Sequence, residues 1–175
     1  MKNSIVNEYI MLLKRYIYIE KELDTLPSGY ISKKVIKGRF QFYLQYRDKD
    51  NIVSKYIKKN EIENCYNRIQ LRKQYEIERN NIKDRINKLE EASLLLDKFL
   101  YYRLQIYRLS FKMDHIDLNM KKESVEFADM LNSIEGVSSS NELKTKLNRW
   151  KNDELSFLTI FEETLNRYGF LFGDK

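Results

Sequence analysis

The sequence predicts a mainly α fold that contains a small antiparallel β-sheet. Glycine and proline are scarce, five and one in 175 residues, and 33% of the residues are charged, a composition typical of long helices. One stretch, at about residues 30–57, instead alternates apolar and polar side chains with the period of strands. We therefore expect long helices that form a coiled-coil spine, a three-stranded sheet and a C-terminal unit of three helices.

The first predicted helix covers residues 4–25. Its apolar side chains recur at alternating intervals of four and three residues, which is the spacing of a coiled-coil seam. The seam residues are Ile5, Tyr9, Leu12, Tyr16, Ile19 and Leu23. Pro27 and Gly29 end the helix, because proline lacks a backbone donor and glycine permits a turn.

Three strands are predicted next, at about residues 30–36, 39–47 and 52–57. Lys37-Gly38 supplies the first turn and the polar run 48–51 supplies the second. In the middle strand the alternation places Phe40, Phe42, Leu44 and Tyr46 on one face, and Gln41, Tyr43, Gln45 and Arg47 on the other. A bare sheet of this size is marginal in water, so we expect the first and second helices to cover its apolar face.

The second helix is predicted to begin after Asn60, with Glu63 three residues later as in a capping box, and its pattern continues to about Met113. Two interpretations of this stretch are open. A single helix of about 53 residues would be roughly 80 Å long at 1.5 Å per residue. A bend near residues 79–81 would instead give an antiparallel pair. We favour the single helix, packed on the first helix or on a second copy of the chain.

The last third of the chain predicts three shorter helices, at about residues 124–135, 141–151 and 156–168, and glycines follow the first and the last of them. Residues 114–175 contain twelve acidic and eight basic residues, a net charge of −4. We therefore predict two domains. Residues 1–113 form a module of helix, basic sheet and long helix, and residues 114–175 form an acidic helical unit.

The strongest functional signal is the positive charge of the predicted strands. Residues 28–60 contain nine Lys or Arg residues and two acidic ones, a net charge of +7 in a chain whose total is +6. Lysines beside alternating aromatic residues suit a phosphate backbone, with tyrosines touching base or sugar, and such a sheet fits a major groove through one face. The same lysines would also solubilise an exposed sheet and protect its edges. The residues predicted to bind DNA or RNA are Lys33, Arg39, Tyr43, Arg47, Lys55, Lys58 and Lys59.

The composition argues against several classes of function. One cysteine, Cys65, and one histidine, His115, can form neither an internal disulfide nor a four-ligand zinc site. The sequence contains no Gly-rich phosphate loop and no ordered catalytic triad, so we predict a non-enzymatic protein without metal or cofactor. Residues 1–8 lack the apolar core of a signal peptide, and no stretch reaches the roughly 20 apolar residues of a membrane span. We expect a cytoplasmic protein that does not contact membranes.

A series of motifs around the strands resembles a group of uncharacterised bacterial and mobile-element proteins. The motifs are LPSGYISKK at 26–34, FYLQYR at 42–47 and SKYI at 54–57, followed by a long polar helix. Those proteins also show a leading helix, an LPxGsI entry, a YYLxxR strand and an sKYI strand. The strand order with its trailing helix is also similar to the arm-binding domain of tyrosine recombinases. The resemblance covers about residues 20–90 and implies a mobile-element context and DNA binding, without the recombinase catalytic domain.

The C-terminal helices resemble the small helical antitoxins that restrain Fic-type AMP-transferring toxins. The resemblance lies in FADMLNSIEGV at 127–137 and LNRWKNDELS at 147–156. That family carries a Ser or Thr on a helix and, after three intervening residues, a Glu-Gly pair whose glutamate contacts a toxin arginine and blocks productive ATP binding. This chain has the Glu-Gly pair, but Leu131 stands at the serine position. A plain helix end at the glycine is the alternative. The residues predicted to bind a protein partner are Glu135, Gly136 and Trp150.

Together these features predict a non-enzymatic regulatory binding protein of bacterial or phage origin, similar to antitoxins that autoregulate. The basic sheet would contact nucleic acid, and the acidic C-terminal unit would bind a protein partner such as a toxin. The alternative is a mobile-element protein-interaction factor that inhibits a host defence enzyme without binding DNA itself. The long helices also offer a surface for a homodimer.

Overall fold

The computed structural model describes residues 2–134 and 140–167, and it confirms the predicted fold class. The helices found there are α1 (Lys2–Thr25), α2 (Ile62–Leu96), α3 (Lys98–Asp114), α4 (Leu118–Ile134), α5 (Asn141–Lys151) and α6 (Phe157–Arg167), with a 3₁₀ turn at Lys59–Glu61. The strands are β1 (Tyr30–Ile36), β2 (Arg39–Asp48) and β3 (Asn51–Ile57). They form one antiparallel sheet in the order β1-β2-β3.

The chain forms two compact units. One consists of Met1–Leu13 with Leu89–Lys175, and the other consists of Lys14–Lys88 and contains the sheet. Both α1 and α2 contribute residues to each unit. The predicted domains, residues 1–113 and 114–175, stay a prediction.

In the unit Lys14–Lys88, α1 and α2 are antiparallel. Arg15 forms two contacts with Glu78, of 2.7 and 2.8 Å, and the rings of Tyr18 and Tyr75 meet edge to face with their centres 6.4 Å apart. Moving along α1 from Arg15 to Tyr18, the contacted residue of α2 moves back from Glu78 to Tyr75. The two helices therefore form the spine that the apolar spacing predicts.

Two arginines of α2 cap the carboxyl end of α1. Arg72 Nη1 donates hydrogen bonds to the carbonyl oxygens of Leu23 (2.6 Å) and Leu26 (2.8 Å), and Arg68 Nη2 donates to that of Thr25 (2.7 Å). The last carbonyl groups of a helix lack partners within the helix and carry partial negative charge. The two guanidinium groups satisfy them and fix the point where the chain leaves α1 for the sheet.

The buried stripe of α1 follows the predicted seam only in part. Tyr9, Ile19 and Leu23 are buried as expected, whereas Val6 and Leu13 are buried in place of the residues just before them. A helix with 3.6 residues per turn drifts relative to a strict repeat of 3.5 residues. The predicted spacing therefore selects the correct helix face but misplaces two of the buried residues, which are Val6 and Leu13 and not Ile5 and Leu12.

The single helix predicted for residues 61–113 is wrong, because the chain bends at Asp97. Asp97 has an extended backbone, and its carboxylate accepts a hydrogen bond from the backbone N–H of Phe99 at 2.9 Å, which caps α3. Arg108 of α3 lies 3.1 Å from Glu90 of α2 although 18 residues separate them. In one straight helix those residues would be about 27 Å apart. The chain thus forms a helical pair, but the alternative bend near residues 79–81 is also wrong, since α2 is helical throughout.

Two-residue turns connect the strands; the first is the predicted Lys37-Gly38, and the second is shorter than the predicted run 48–51. Lys37 and Gly38 both have positive φ angles, 50° and 72°, which is the backbone of a type I′ hairpin turn. The second turn is Lys49-Asp50, and β2 and β3 each extend one residue further toward it than predicted. These turns fix the register of the sheet, and the register fixes which side chains share a face.

Gly29 sets the approach of the chain to β1. Its φ is 99°, and a Cβ atom at this position would lie 2.0 Å from the carbonyl oxygen of Gln45 in β2. No side chain fits there without moving the strand. Gly29 is predicted to end the first helix, and it also allows the chain to pack closely against β2.

The C-terminal helices agree closely with the sequence at two of three positions. The bounds of α5 are those predicted, and α6 starts one residue later than expected. In contrast, α4 starts at Leu118, six residues early, because Asp117 caps it by accepting the backbone N–H of Met120 at 2.9 Å. None of the helices in the described residues combines the length and apolar character required to cross a membrane.

Candidate nucleic-acid interface

The register divides the sheet into two faces. Directly opposite residues of antiparallel strands share a face, and neighbours along one strand alternate between faces. The polar face consists of Tyr30, Ser32, Lys34, Ile36, Arg39, Gln41, Tyr43, Gln45, Arg47, Ile52, Ser54 and Tyr56. The apolar face consists of Ile31, Lys33, Val35, Phe40, Phe42, Leu44, Tyr46, Val53, Lys55 and Ile57, with the polar pair Asp48 and Asn51 at its turn end.

The apolar face is covered only in part. Ile57 is buried and Phe42 is half-buried, but Val35 and Phe40 near the first turn are exposed. The ammonium group of Lys33 lies 3.7 Å from the centre of the Phe40 ring, a cation–π contact. The predicted cover by helices therefore does not extend to the turn end of the β1–β2 hairpin.

A hydrogen-bonded group of side chains occupies the centre of the polar face. The hydroxyl of Tyr43 donates to Oε1 of Gln41 at 2.7 Å. Ser54 Oγ accepts from Gln45 Nε2 at 3.3 Å and from Lys34 Nζ at 3.4 Å, and the same Lys34 ammonium lies 4.9 Å from the centre of the Tyr43 ring. The polar side chains between the strands thus hold one another in place.

Each strand also contributes one tyrosine to the polar face. Tyr43 and Tyr56 lie directly opposite each other, with ring centres 5.7 Å apart and ring planes at 70°. Tyr56 is 56% exposed and Tyr30 is 60% exposed. The rings of Tyr30 and Tyr56 are therefore open to a ligand, and Tyr43 packs against Tyr56.

The Lys and Arg side chains of residues 28–60, the basic segment, are not neutralised by the protein. Within the described residues, none of its nine Lys and Arg side chains forms a salt bridge. All nine residues are exposed. Exposed cations without an internal counterion are suited to binding the phosphates of an external partner.

The structure brings together three of the seven residues predicted to bind nucleic acid. Arg39, Tyr43 and Arg47 lie on the polar face along β2. Lys33 and Lys55 lie on the opposite face. The two remaining residues, Lys58 and Lys59, follow β3 at the connection to α2. One flat ligand cannot touch all seven, so the predicted set divides by face.

Sequence reasoning missed Lys34, Tyr30 and Tyr56 as members of the same surface. The signal that identifies them is the pair of two-residue turns. Counting back from each turn places Lys34 opposite Gln41 and Tyr56 opposite Tyr43. Charge and alternation within single strands do not contain this information, because a face is defined across strands.

The predicted partner-binding residues lie in the other unit or outside the described residues. Glu135 and Gly136 are not among the residues that the structure describes. Trp150 is 1% exposed, and its indole Nε1 donates to Asp114 at 3.1 Å. Its role in partner binding stays a prediction, and the described contacts of its buried ring are with residues of its own unit.

Asp114 and Trp150 organise the ends of α3, α5 and α6. The carboxylate of Asp114 also accepts the backbone N–H of Phe157 at 2.6 Å, at the start of α6. Lys121 of α4 is buried, its ammonium lies 5.4 Å from the centre of a Trp150 ring, and it forms an ion pair with Asp153. These contacts explain why a tryptophan in a polar sequence context serves packing.

Comparison of the chain with protein-family models, with curated proteins and with solved structures gives no match. The described part of the chain also contains no group of three or more His, Cys, Asp or Glu side chains placed to hold a metal ion.

Proposed function

We propose that the polar face of the sheet binds nucleic acid through its phosphates. The observation that supports this most directly is the set of nine exposed cations, none of which is paired with a carboxylate in the described residues. A local charge of +7 attracts polyanions, and counterion release from their backbone supplies most of the affinity of such surfaces. The resemblance to recombinase arm-binding domains points to the same class of ligand.

The proposed role of the whole chain is that of a non-enzymatic, antitoxin-like regulatory protein. The sheet would hold nucleic acid, and the acidic C-terminal helices would bind a protein partner such as a toxin. Exposed apolar side chains on α4, Met120 and Phe127, support a protein contact in that unit. Opposite charges in the two regions suit two different partners, one anionic and one not.

The test is fluorescence anisotropy of labelled DNA and RNA with the full chain at about 50 and 200 mM salt, where phosphate-dominated binding falls steeply. The informative variant is Arg39→Ala/Arg47→Ala, which removes two cations from the polar face. The matched control is Lys33→Ala/Lys55→Ala, which removes two cations from the opposite face. The slope of log affinity against log salt for duplex DNA is negative. The first double variant should make it shallower by about 1.8, and the second should change it less.

Two results would contradict the proposal. Absence of binding at the lower salt concentration would remove nucleic acid as the ligand. Equal effects of the two double variants would mean that the positive charge acts at long range without a contact on the polar face.

A second function is supported by a different observation, in the other unit. Leu95 and Phe99, on either side of the bend at Asp97, are 89% and 82% exposed, and the neighbouring Leu94 and Leu96 are also exposed. A group of large exposed apolar side chains marks a protein-interaction surface. If no nucleic acid binds, this surface favours a mobile-element factor that inhibits a host defence enzyme. Binding to such an enzyme should then be insensitive to salt and lost in Leu95→Ser/Phe99→Ser.

A further inference from the structure

We infer that the ligand of the polar face is single-stranded nucleic acid whose bases stack on Tyr30 and Tyr56. This inference rests on the proposed function, since it specifies the class of nucleic acid that the same surface binds. Three observations carry it: which ring surfaces are open, which polar groups are already engaged, and how the tyrosines and cations are arranged on the face.

The open groups on this face include two aromatic rings. Tyr30 and Tyr56 are more than half exposed, on the two outer strands. The flat faces of bases are covered by neighbouring bases in a duplex, where only base edges are accessible in the grooves. In a single strand the bases can separate and stack on aromatic side chains. Two exposed tyrosines therefore match single strands better than duplexes.

The two glutamines of this face are already engaged with neighbouring side chains. Glutamine is one of the residue types that pairs with base edges in the major groove. Here Oε1 of Gln41 accepts from the Tyr43 hydroxyl, and Nε2 of Gln45 donates to Ser54 Oγ. A glutamine that read a base edge through both of its amide atoms would have to break these contacts, whereas stacking on the outer tyrosines leaves them intact.

The arrangement of the rings crosses the sheet. Tyr30 lies opposite Gln45 in β2, and Tyr56 lies opposite Tyr43, so the two outer tyrosines are two strand spacings apart and offset by two residues. Their Cα atoms are thus about 12 Å apart. This distance is much longer than the spacing between neighbouring bases in one strand of a duplex, which is about 3.4 Å. It suits an extended strand that places separated bases on the two rings.

Cations on the same face are placed to hold the backbone of that strand. Arg39 and Arg47 stand four residues on either side of Tyr43 along β2, and the Lys34 ammonium lies over the Tyr43 ring. A strand that crosses the sheet from Tyr30 to Tyr56 passes between the two arginines. Aromatic rings bordered by cations are the combination that single-strand binding surfaces use.

The experiment compares labelled DNA and RNA single strands of about 16 nucleotides with the DNA duplex of the same sequence, bound to the full chain. We expect each single strand to bind at least about tenfold tighter than the duplex. The two single strands show whether DNA or RNA is preferred. The variant Tyr30→Leu/Tyr56→Leu should weaken single-strand binding by about a hundredfold, since each stacked base contributes about tenfold.

Two matched variants distinguish stacking from general damage to the sheet. Tyr30→Phe/Tyr56→Phe keeps both rings and should bind single strands within about threefold of the unmodified chain. Phe40→Leu removes an equally exposed ring from the apolar face and should leave affinity unchanged. If the leucine variant unfolds, the phenylalanine variant and the comparison of single strand with duplex still test the inference.

The results separate failure of this inference from failure of the proposed function. Duplex binding as tight as single-strand binding, or unchanged affinity in a folded Tyr30→Leu/Tyr56→Leu variant, would overturn the inference and leave nucleic-acid binding in place. No binding of any of the three oligonucleotides at low salt would overturn both.

Discussion

The sheet and the helical pair of the unit Lys14–Lys88 use their positive charge in different ways. In the helical pair, arginines contact carboxylates or helix carbonyl groups, as Arg15 does with Glu78 and Arg72 with Leu23. In the sheet, none of the described cations forms a salt bridge. The cations of the helices are part of the internal structure, and those of the sheet are available to an external anion.

The difference shows which property of a basic segment indicates a partner. The number of lysines and arginines alone does not, because α2 also contains many of them. What distinguishes the sheet is that its acidic residues are few and that neither lies on the polar face, since Asp48 ends β2 on the opposite face and Asp50 lies in the second turn. Repulsion among unpaired like charges opposes folding. The proposed contact with nucleic acid would give this charge a role, and protection of the exposed sheet edges is the alternative.

The largest expected effect separates a cation of the helices from a cation of the sheet. Arg72→Ala removes two hydrogen bonds to the carboxyl end of α1 and the ion pair with Glu76. We expect the free energy of unfolding to fall by about 2.5 kcal/mol, because hydrogen bonds to charged groups are strong and the carbonyl groups lose their partner. Urea denaturation measures this loss, and nucleic-acid affinity at a temperature where the variant is folded should not change.

Arg47→Ala is the matched control for Arg72→Ala, since both remove one guanidinium group. It should change the free energy of unfolding by less than about 0.5 kcal/mol, as surface substitutions usually do, and weaken nucleic-acid binding. The comparison fails if Arg47→Ala destabilises the chain as strongly as Arg72→Ala does.

Local patterns in the sequence were sufficient to predict the sheet but not the pairing of charges. Alternation along β2 and the Lys37-Gly38 dipeptide locate strands and turn within a few residues. The partner of Arg15 is 63 positions away, and only the folded chain shows that the two residues meet. The number of cations in a segment is therefore visible in the sequence, whereas their neutralisation depends on tertiary structure.

The bend at Asp97 was missed for a physical reason. Leu96 and Leu100 continue the apolar spacing of α2 across it, so the pattern reads as one helix. The aspartate caps α3 through its side chain, but a lone aspartate within a helical pattern is more often a solvated helix residue. Of the candidate site, the basic segment and Arg39, Tyr43 and Arg47 were predictable, and the shared face with Tyr30 and Tyr56 required the register.

An effect of intermediate size on stability is expected in the unit Met1–Leu13 with Leu89–Lys175, where Arg108 pairs with the carboxylate that the buried Tyr9 contacts. Tyr9 is buried, and its hydroxyl donates to Glu90 at 2.5 Å, while Arg108 pairs with the same carboxylate. Tyr9→Phe should lower the free energy of unfolding near neutral pH by about 1.5 kcal/mol, since a hydrogen bond to a charged acceptor is lost. Urea denaturation of both proteins measures the difference.

The same pair of proteins should differ in its dependence on pH. Burial, followed by the hydrogen bond to Glu90 and its negative charge, raises the pKa of Tyr9 far above its usual value. The unfolded tyrosine ionises near pH 10 while the folded one stays neutral. The stabilisation by Tyr9 is therefore complete below about pH 10 and decreases above it by up to about 1.4 kcal/mol per pH unit. A constant difference between the two proteins from pH 7 to pH 11 would contradict the buried hydrogen bond.

The smallest expected effect concerns the exposed pair of Arg15 and Glu78 on the helices. The Arg15 guanidinium hydrogen-bonds the carboxylate and lowers the pKa of Glu78. Stabilisation from the pair is therefore present above the usual carboxyl pKa of about 4.3 and lost as the pH falls through the lower folded value. A double-mutant cycle of Arg15→Ala and Glu78→Gln should give a coupling energy of about 0.5 kcal/mol near neutral pH, decreasing in high salt. A coupling above about 2 kcal/mol would show that pairing stabilises the helices strongly. A small coupling means that pairing in the helices mainly neutralises charge, whereas the cations of the sheet are not neutralised.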